Sequence, residues 1–168
     1  MDGRSIDKLV YADTLTAPAD SAVSLHYRGL AVTSGAIFGT AIASPGLVRR
    51  ADRSPEGGIQ LPRTTAWRND NPAVFMDALL ALDDTTLIAM GDPLDGCLTV
   101  IRSGDGGRSW ETVPCTDSTR AGVPASREGE AAFAASNGNL AAAGYTVWML
   151  SGGGASRVYR SLDRGRTW

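Results

Sequence analysis

A nine-residue segment occurs twice in the chain, 58 residues apart, and it constrains the fold more than any other feature. Arg102-Ser103-Gly104-Asp105-Gly106-Gly107-Arg108-Ser109-Trp110 returns as Arg160-Ser161-Leu162-Asp163-Arg164-Gly165-Arg166-Thr167-Trp168, so both copies read R-S-x-D-x-G-R-[ST]-W. Self-similarity at a fixed spacing is the sequence signature of a repeat architecture. A degenerate third copy stands at Arg50-Ala51-Asp52-Arg53-Ser54. Each full copy follows strand-forming residues, Cys97-Leu98-Thr99-Val100-Ile101 and Arg157-Val158-Tyr159. A strand, a glycine turn and a tryptophan-bearing return strand make a β-hairpin.

The chemistry of the motif accounts for its residues. Asp105 and Asp163 are short acceptors, able to take backbone N–H bonds from the turns they head. Ser103 and Ser161 precede them as further polar turn groups. Gly107 and Gly165 occupy a position where positive φ is tolerated. Trp110 and Trp168 open the return strands and fold an aromatic face over each hairpin. A calcium loop would need more oxygen ligands than one Asp and one Ser supply. The motif is therefore expected to be structural, with no metal and no cofactor.

Composition agrees with a β protein. The 168 residues include 20 glycines and 8 prolines, which interrupt nearly every helix-friendly stretch. A hydrophobic share of 43% with 20% charged residues fits a folded, globular chain. Sixteen basic against 18 acidic side chains leave a net charge of −2, unlike a surface built to bind nucleic acid. Met1–Tyr11 shows no apolar signal-peptide core. The uncharged run Ala31–Val48 is too rich in Gly, Ser, Thr and Pro to be a transmembrane segment.

The repeat resembles the Asp-box, or BNR repeat, of β-propellers. Tyr27-Arg28-Gly29-Leu30, Gly91-Asp92-Pro93-Leu94-Asp95-Gly96 and Gly129-Glu130-Ala131-Ala132-Phe133-Ala134-Ala135-Ser136 are similar to motifs of bacterial propellers related to photosystem II assembly factors. The resemblance covers residues 24–168. It implies an all-β chain made of four-stranded antiparallel blades, with Asp boxes joining third and fourth strands. About three blades are expected, at 24–62, 73–114 and 129–168. Their strands read 25–32, 36–43, 47–51 and 58–61; then 74–82, 86–91, 97–103 and 108–113; then 130–135, 140–150, 157–161 and a start at 167. Three blades fall short of the four to eight that close a propeller. The expectation is an N-terminal fragment whose partners include missing C-terminal blades of the same chain. Segment 1–23, with Lys8–Ala12 as a possible outer strand, would complete the last of these. The family also favours a periplasmic, extracytoplasmic or secreted location.

In such a toroid the second-to-third-strand loops and the inter-blade connections share one face, where binding is expected. Alignment of the first strands matches Arg28, Met76 and Glu130, with Asp77 one residue on. Arg28, Asp77 and Glu130 would then ring the channel mouth near Asp92 and Asp95, two aspartates flanking Pro93 in a tight turn. These five are the candidate binding residues; channel charges satisfied by water and by neighbouring blades are the plainer alternative. His26 is the only histidine, so no Ser/His/Asp triad is indicated. Ser151–Ser156 lacks the lysine of a phosphate loop and reads as a flexible interstrand loop. Cys97 and Cys115 match no metal motif; a disulfide closing their hairpin and two free thiols both stay open.

Two functions fit. The first is a non-catalytic, assembly-factor-like scaffold binding a protein or a polar or carbohydrate ligand on its loop-rich face. The second is a sialidase-like or other glycoside hydrolase, with its Tyr nucleophile, acid/base carboxylates and arginine cluster partly outside this chain.

Overall fold

The computed structural model describes residues 14–16, 22–56, 58–60, 63–116, 122–133 and 136–168. Among them there is no α-helix; the elements are strands and one turn of 3-10 helix at Asn137–Asn139. A short antiparallel pair, β1 (Thr14–Thr16) and β2 (Ala22–Ser24), precedes the main body. The first sheet runs β3 (Tyr27–Val32), β4 (Ala36–Ala41), β5 (Gly46–Asp52) and β6 (Thr64–Asn69), each antiparallel to the last. The second repeats that order with β7 (Met76–Ala81), β8 (Leu87–Leu94), β9 (Cys97–Ser103) and β10 (Glu111–Thr112). The connection onward carries β11 (Cys115–Thr116) paired in parallel with β12 (Val123–Pro124), then β13 (Glu130–Ala131). The third sheet holds β14 (Leu140–Ala143), β15 (Thr146–Leu150) and β17 (Val158–Ser161), while β16 (Gly152–Gly153) pairs back onto β13.

Alternation along β8 stacks the three sheets. Side chains of successive strand residues point to opposite faces. Leu87 and Ala89 enter one core with Phe38 and Val48 of the first sheet. Ile88 and Met90 enter a second core with Val147, Met149 and Tyr159 of the third. The middle sheet is therefore apolar on both faces, unlike a half-solvated antiparallel sheet. Each fully buried aliphatic side chain contributes about 1.5–3 kcal/mol.

Backbone-directed bonds repeat between sheets. Arg50 Nε donates to the Gly106 carbonyl (3.3 Å), and Arg102 Nε donates to the Arg164 carbonyl (3.0 Å). The arginine before each Ser-x-Asp position thus reaches the residue after the Asp in the next turn. The motif glycines sit at the same junctions. A Cβ on Gly107 would lie 2.1 Å from the Phe38 ring, and one on Gly165 would lie 2.4 Å from Ile88 Cδ1. Only glycine lets the turns approach that closely.

The all-β reading and the four-stranded antiparallel sheets are present; a closed propeller is not seen. Three boundaries differ from the expected ones. The fourth strand of the first sheet is Thr64–Asn69, not Gly58–Leu61. The degenerate turn there lacks the Asp staple, and the chain makes a wider excursion closed by the Arg53–Ile59 bridge. The third sheet opens at Leu140 instead of Glu130, because Gly144 (φ 59°) turns the expected single strand 140–150 into a hairpin. Pro93 lies inside β8, not in a turn. It follows a bulge and sits beyond the last β7 pair, Met76–Gly91, so its missing N–H leaves no ladder bond unmade. The expected strand at Lys8–Ala12 lies outside the described residues.

Candidate functional site

Both repeat turns close with the same bonds. Ser103 Oγ donates to Asp105 Oδ1 (2.8 Å) and accepts the Gly107 N–H (2.9 Å). Asp105 Oδ1 accepts the Arg108 and Ser109 N–H groups (both 3.0 Å), and Oδ2 accepts the Ser109 hydroxyl (2.6 Å). In the second copy Ser161 donates to Asp163 (2.7 Å) and accepts from Gly165 (2.8 Å). Asp163 in turn accepts from the Arg166 and Thr167 amides (3.1 and 2.9 Å) and the Thr167 hydroxyl (2.8 Å). Trp110 and Trp168 donate their indole N–H to the Gly107 and Gly165 carbonyls (3.3 and 3.2 Å). Gly107 and Gly165 have φ of 75° and 82°. Desolvation alone would raise the Asp105 carboxyl; the donors from Ser109, Ser103 and Arg108 outweigh it and hold it at about 2. Asp163 is lowered by the same balance. The Asp carboxylates and the Ser103 and Ser161 hydroxyls bond within their own turns, and no group of His, Cys, Asp and Glu among the described residues could hold a metal ion.

The five expected binding residues differ in exposure and in partners. Arg28 and Asp77 occupy matching β-bulges, between Tyr27 and Gly29 and between Met76 and Ala78, so Arg28 corresponds to Asp77 and not to Met76. Arg28 is exposed and lines a cleft of about 380 Å³ on the outer face of the first sheet, whereas Asp77 is fully buried. Asp92 is half-buried and accepts the Ala132 N–H (2.9 Å); burial pushes its carboxyl up, with that bond opposing. Asp95 is exposed in the two-residue turn Asp95–Gly96, with φ of 55° and 100°. His26 is exposed, and its carbonyl takes the Ile42 N–H.

Glu130 does not face solvent. It is a buried carboxylate at the centre of a closed network. Arg157 Nε and Nη2 donate to it (2.9 and 2.5 Å), as do the Arg127 N–H (2.8 Å), the Tyr159 hydroxyl (2.9 Å) and the Ser151 hydroxyl. Desolvation would raise the Glu130 carboxyl, and these donors overcome it, bringing it to about 2. Burial, then the bond to Glu130, pushes the Tyr159 phenol up. The residue types of a Tyr/Glu pair are thus together, but the carboxylate is held weakly basic and the phenol is held neutral. The same network pins the glycine loop that follows β15. Ser151 accepts the Arg157 N–H (3.1 Å), and Gly154 donates to the Gly129 carbonyl (2.6 Å). That loop is a paired segment of the fold, not a flexible one.

A different cleft assembles where the loop-rich face was expected. It measures about 350 Å³ and is lined by Trp67 and Asn69 at the end of β6, Asp95 at the β8–β9 turn, Leu98 and Thr99 on β9, and Thr112 to Cys115 after β10. Cys97 and Cys115 form a disulfide, with Cα atoms 5.7 Å apart, which ties the cleft floor to the departing chain. Of these residues only Asp95 was a sequence candidate. Trp67 and Asn69 were read as part of a long connection. The β-favouring residues Thr64, Thr65 and Trp67 are the strand signal that marks them.

Comparison with protein families, with curated proteins and with solved structures finds no match to the chain. No helix among the described residues is long and apolar enough to cross a membrane.

Proposed function

We propose that the chain is part of an Asp-box β-propeller and serves as a non-catalytic binding scaffold, assembly-factor-like, with its ligand or protein partner on the loop-rich face. The observation that carries the non-catalytic reading is the saturation of Glu130. A carboxylate holding five donors and titrating at about 2 lacks the basicity a general base needs at neutral pH. The propeller reading is supported by the shared inter-sheet register. Leu30 and Leu79 hold equivalent places in the first and second sheets, as do Val158 and Val100 in the third and second. Leu79 and Val100 are 1% and 0% exposed, whereas Leu30 and Val158 are 59% and 66% exposed. Further sheets on both outer faces, including C-terminal blades, would cover them. The disulfide fits an oxidising, extracytoplasmic setting.

A panel of fluorogenic glycosides, sialosides included, tests the reading. No turnover above the buffer rate is expected. Turnover that disappears in Tyr159→Phe would overturn it in favour of a glycosidase.

A further inference from the structure

The scaffold reading leaves the ligand unspecified, and the cleft beside the disulfide narrows it. We propose that this cleft binds a neutral saccharide, seated against Trp67 and hydrogen-bonded by Asn69, Asp95, Thr99 and Thr112; the proposal rests on the non-catalytic reading above.

The first argument is size and shape. About 350 Å³ falls in the range of small-molecule sites, roughly 300–1,000 Å³. Its floor is apolar, with Leu98 and Val113 buried, and Trp67 adds an aromatic wall. Trp67 packs partly into the core between the first two sheets, so its ring is held in place before any ligand arrives. Such a fixed, amphipathic ring costs little conformational entropy on binding.

The second argument is the state of the polar lining. Asn69 Oδ1 accepts the Asn71 N–H (2.9 Å), which fixes the amide and turns its NH2 donors to other use. Thr99 Oγ donates to the Asp92 carbonyl (2.9 Å) and so stands ready as an acceptor. The Asp95 carboxylate, the Thr112 hydroxyl and the Trp67 indole N–H have no partner among the described residues. Donors and acceptors both line an apolar floor, which is the demand of vicinal hydroxyls on a ring with an apolar face.

Charge sets the class. Among the described residues the lining contains one carboxylate and no cation. An anionic ligand would meet Asp95 uncompensated, whereas a neutral hydroxyl-rich ring donates to it. The Cys97–Cys115 bond then acts as a brace, holding the Pro114–Cys115 wall against the floor strand.

The test is a 1H–15N correlation titration of the oxidised chain with cellotriose, maltotriose, chitotriose and, as a cationic control, putrescine. At least one trisaccharide is expected to shift the Trp67 indole N–H and the Asn69, Asp95 and Thr112 amides together and to saturate below about 10 mM, the weak end of specific affinities. Asp95→Asn, a residue tolerated at positive φ, should keep the spectrum and weaken that binding about tenfold, the effect of losing one charge-assisted hydrogen bond. No saturating trisaccharide, saturating shifts that Asp95→Asn leaves unchanged, or putrescine binding tighter than every sugar would each overturn the proposal. Those outcomes leave the scaffold reading standing if the glycoside panel is silent. Turnover in that panel would remove the scaffold reading whatever the titration shows.

Discussion

The second and third sheets end in the same nine-residue turn and direct the same register positions at the sheet before them, yet they are stabilised differently. In the second sheet Leu79, Leu87, Ala89 and Ile101 face the first sheet, and all four are buried and apolar. In the third, the equivalent Leu140, Val147, Met149 and Tyr159 face the second. Tyr159 replaces an aliphatic side chain with one that carries a hydroxyl, and that hydroxyl brings Glu130 and Arg157 with it. The opposite faces diverge further. Met90 and Val100 are covered, while their counterparts Leu150 and Val158 are exposed. A conserved turn geometry therefore does not dictate how much a sheet contributes; its neighbours do.

Breaking the polar part of that difference should have the largest effect. Glu130→Gln leaves Arg157 beside a neutral partner and is expected to cost about 3–5 kcal/mol in chemical denaturation, the usual loss on breaking a buried ion pair. Wild-type stability should follow pH with a matching sign. The folded carboxyl titrates at about 2, below the ordinary glutamate value of 4.5, so its contribution is complete above pH 4.5 and is lost as the pH falls towards 2. Glu130→Gln should flatten that part of the profile. The apolar part comes next: Met90→Ala should lose about 2–5 kcal/mol, and Leu150→Ala no more than about 1. Equal losses at the two positions would mean that the third sheet's outer face is covered in solution. Asp105→Ala and Asp163→Ala each strand turn donors and should lose about 1–3 kcal/mol. The smallest contrast is Arg102→Gln against Arg160→Gln: about 1 kcal/mol for the arginine that reaches the next turn, and within about 0.5 for the exposed one.

The sequence exposed what repeats and hid what is made by distant segments. The turns were legible because Asp105, Gly107 and Trp110 act on residues within five places of one another, and their bonds are those the residue types demand. The second sheet followed from its apolar strand runs, Leu87–Met90 and Cys97–Ile101. The first sheet's fourth strand was missed because its turn has Arg53 where the others have Asp, which removed the marker that located the strand. The place of Glu130 was not legible because the apolar run Ala131–Ala135 mimics a first strand like Met76–Ala81, whereas its partners Arg157 and Tyr159 lie nearly thirty residues on. The disulfide was left open for a related reason. In the structure Arg102 pairs with Glu111, and a slip in that register changes which residue Cys97 meets. The saccharide cleft joins three hairpins and has no local signature at all.

The central claim is that the two Asp–Gly turns are equivalent structural units held by the same carboxylate bonds. Amide hydrogen exchange read at Ser109 and Thr167 tests it most directly, since each N–H donates to the Asp of its own turn. Comparable protection at both sites, lost only at the mutated turn in Asp105→Ala or Asp163→Ala, is the predicted result. Fast exchange at either residue in the wild-type chain would contradict it.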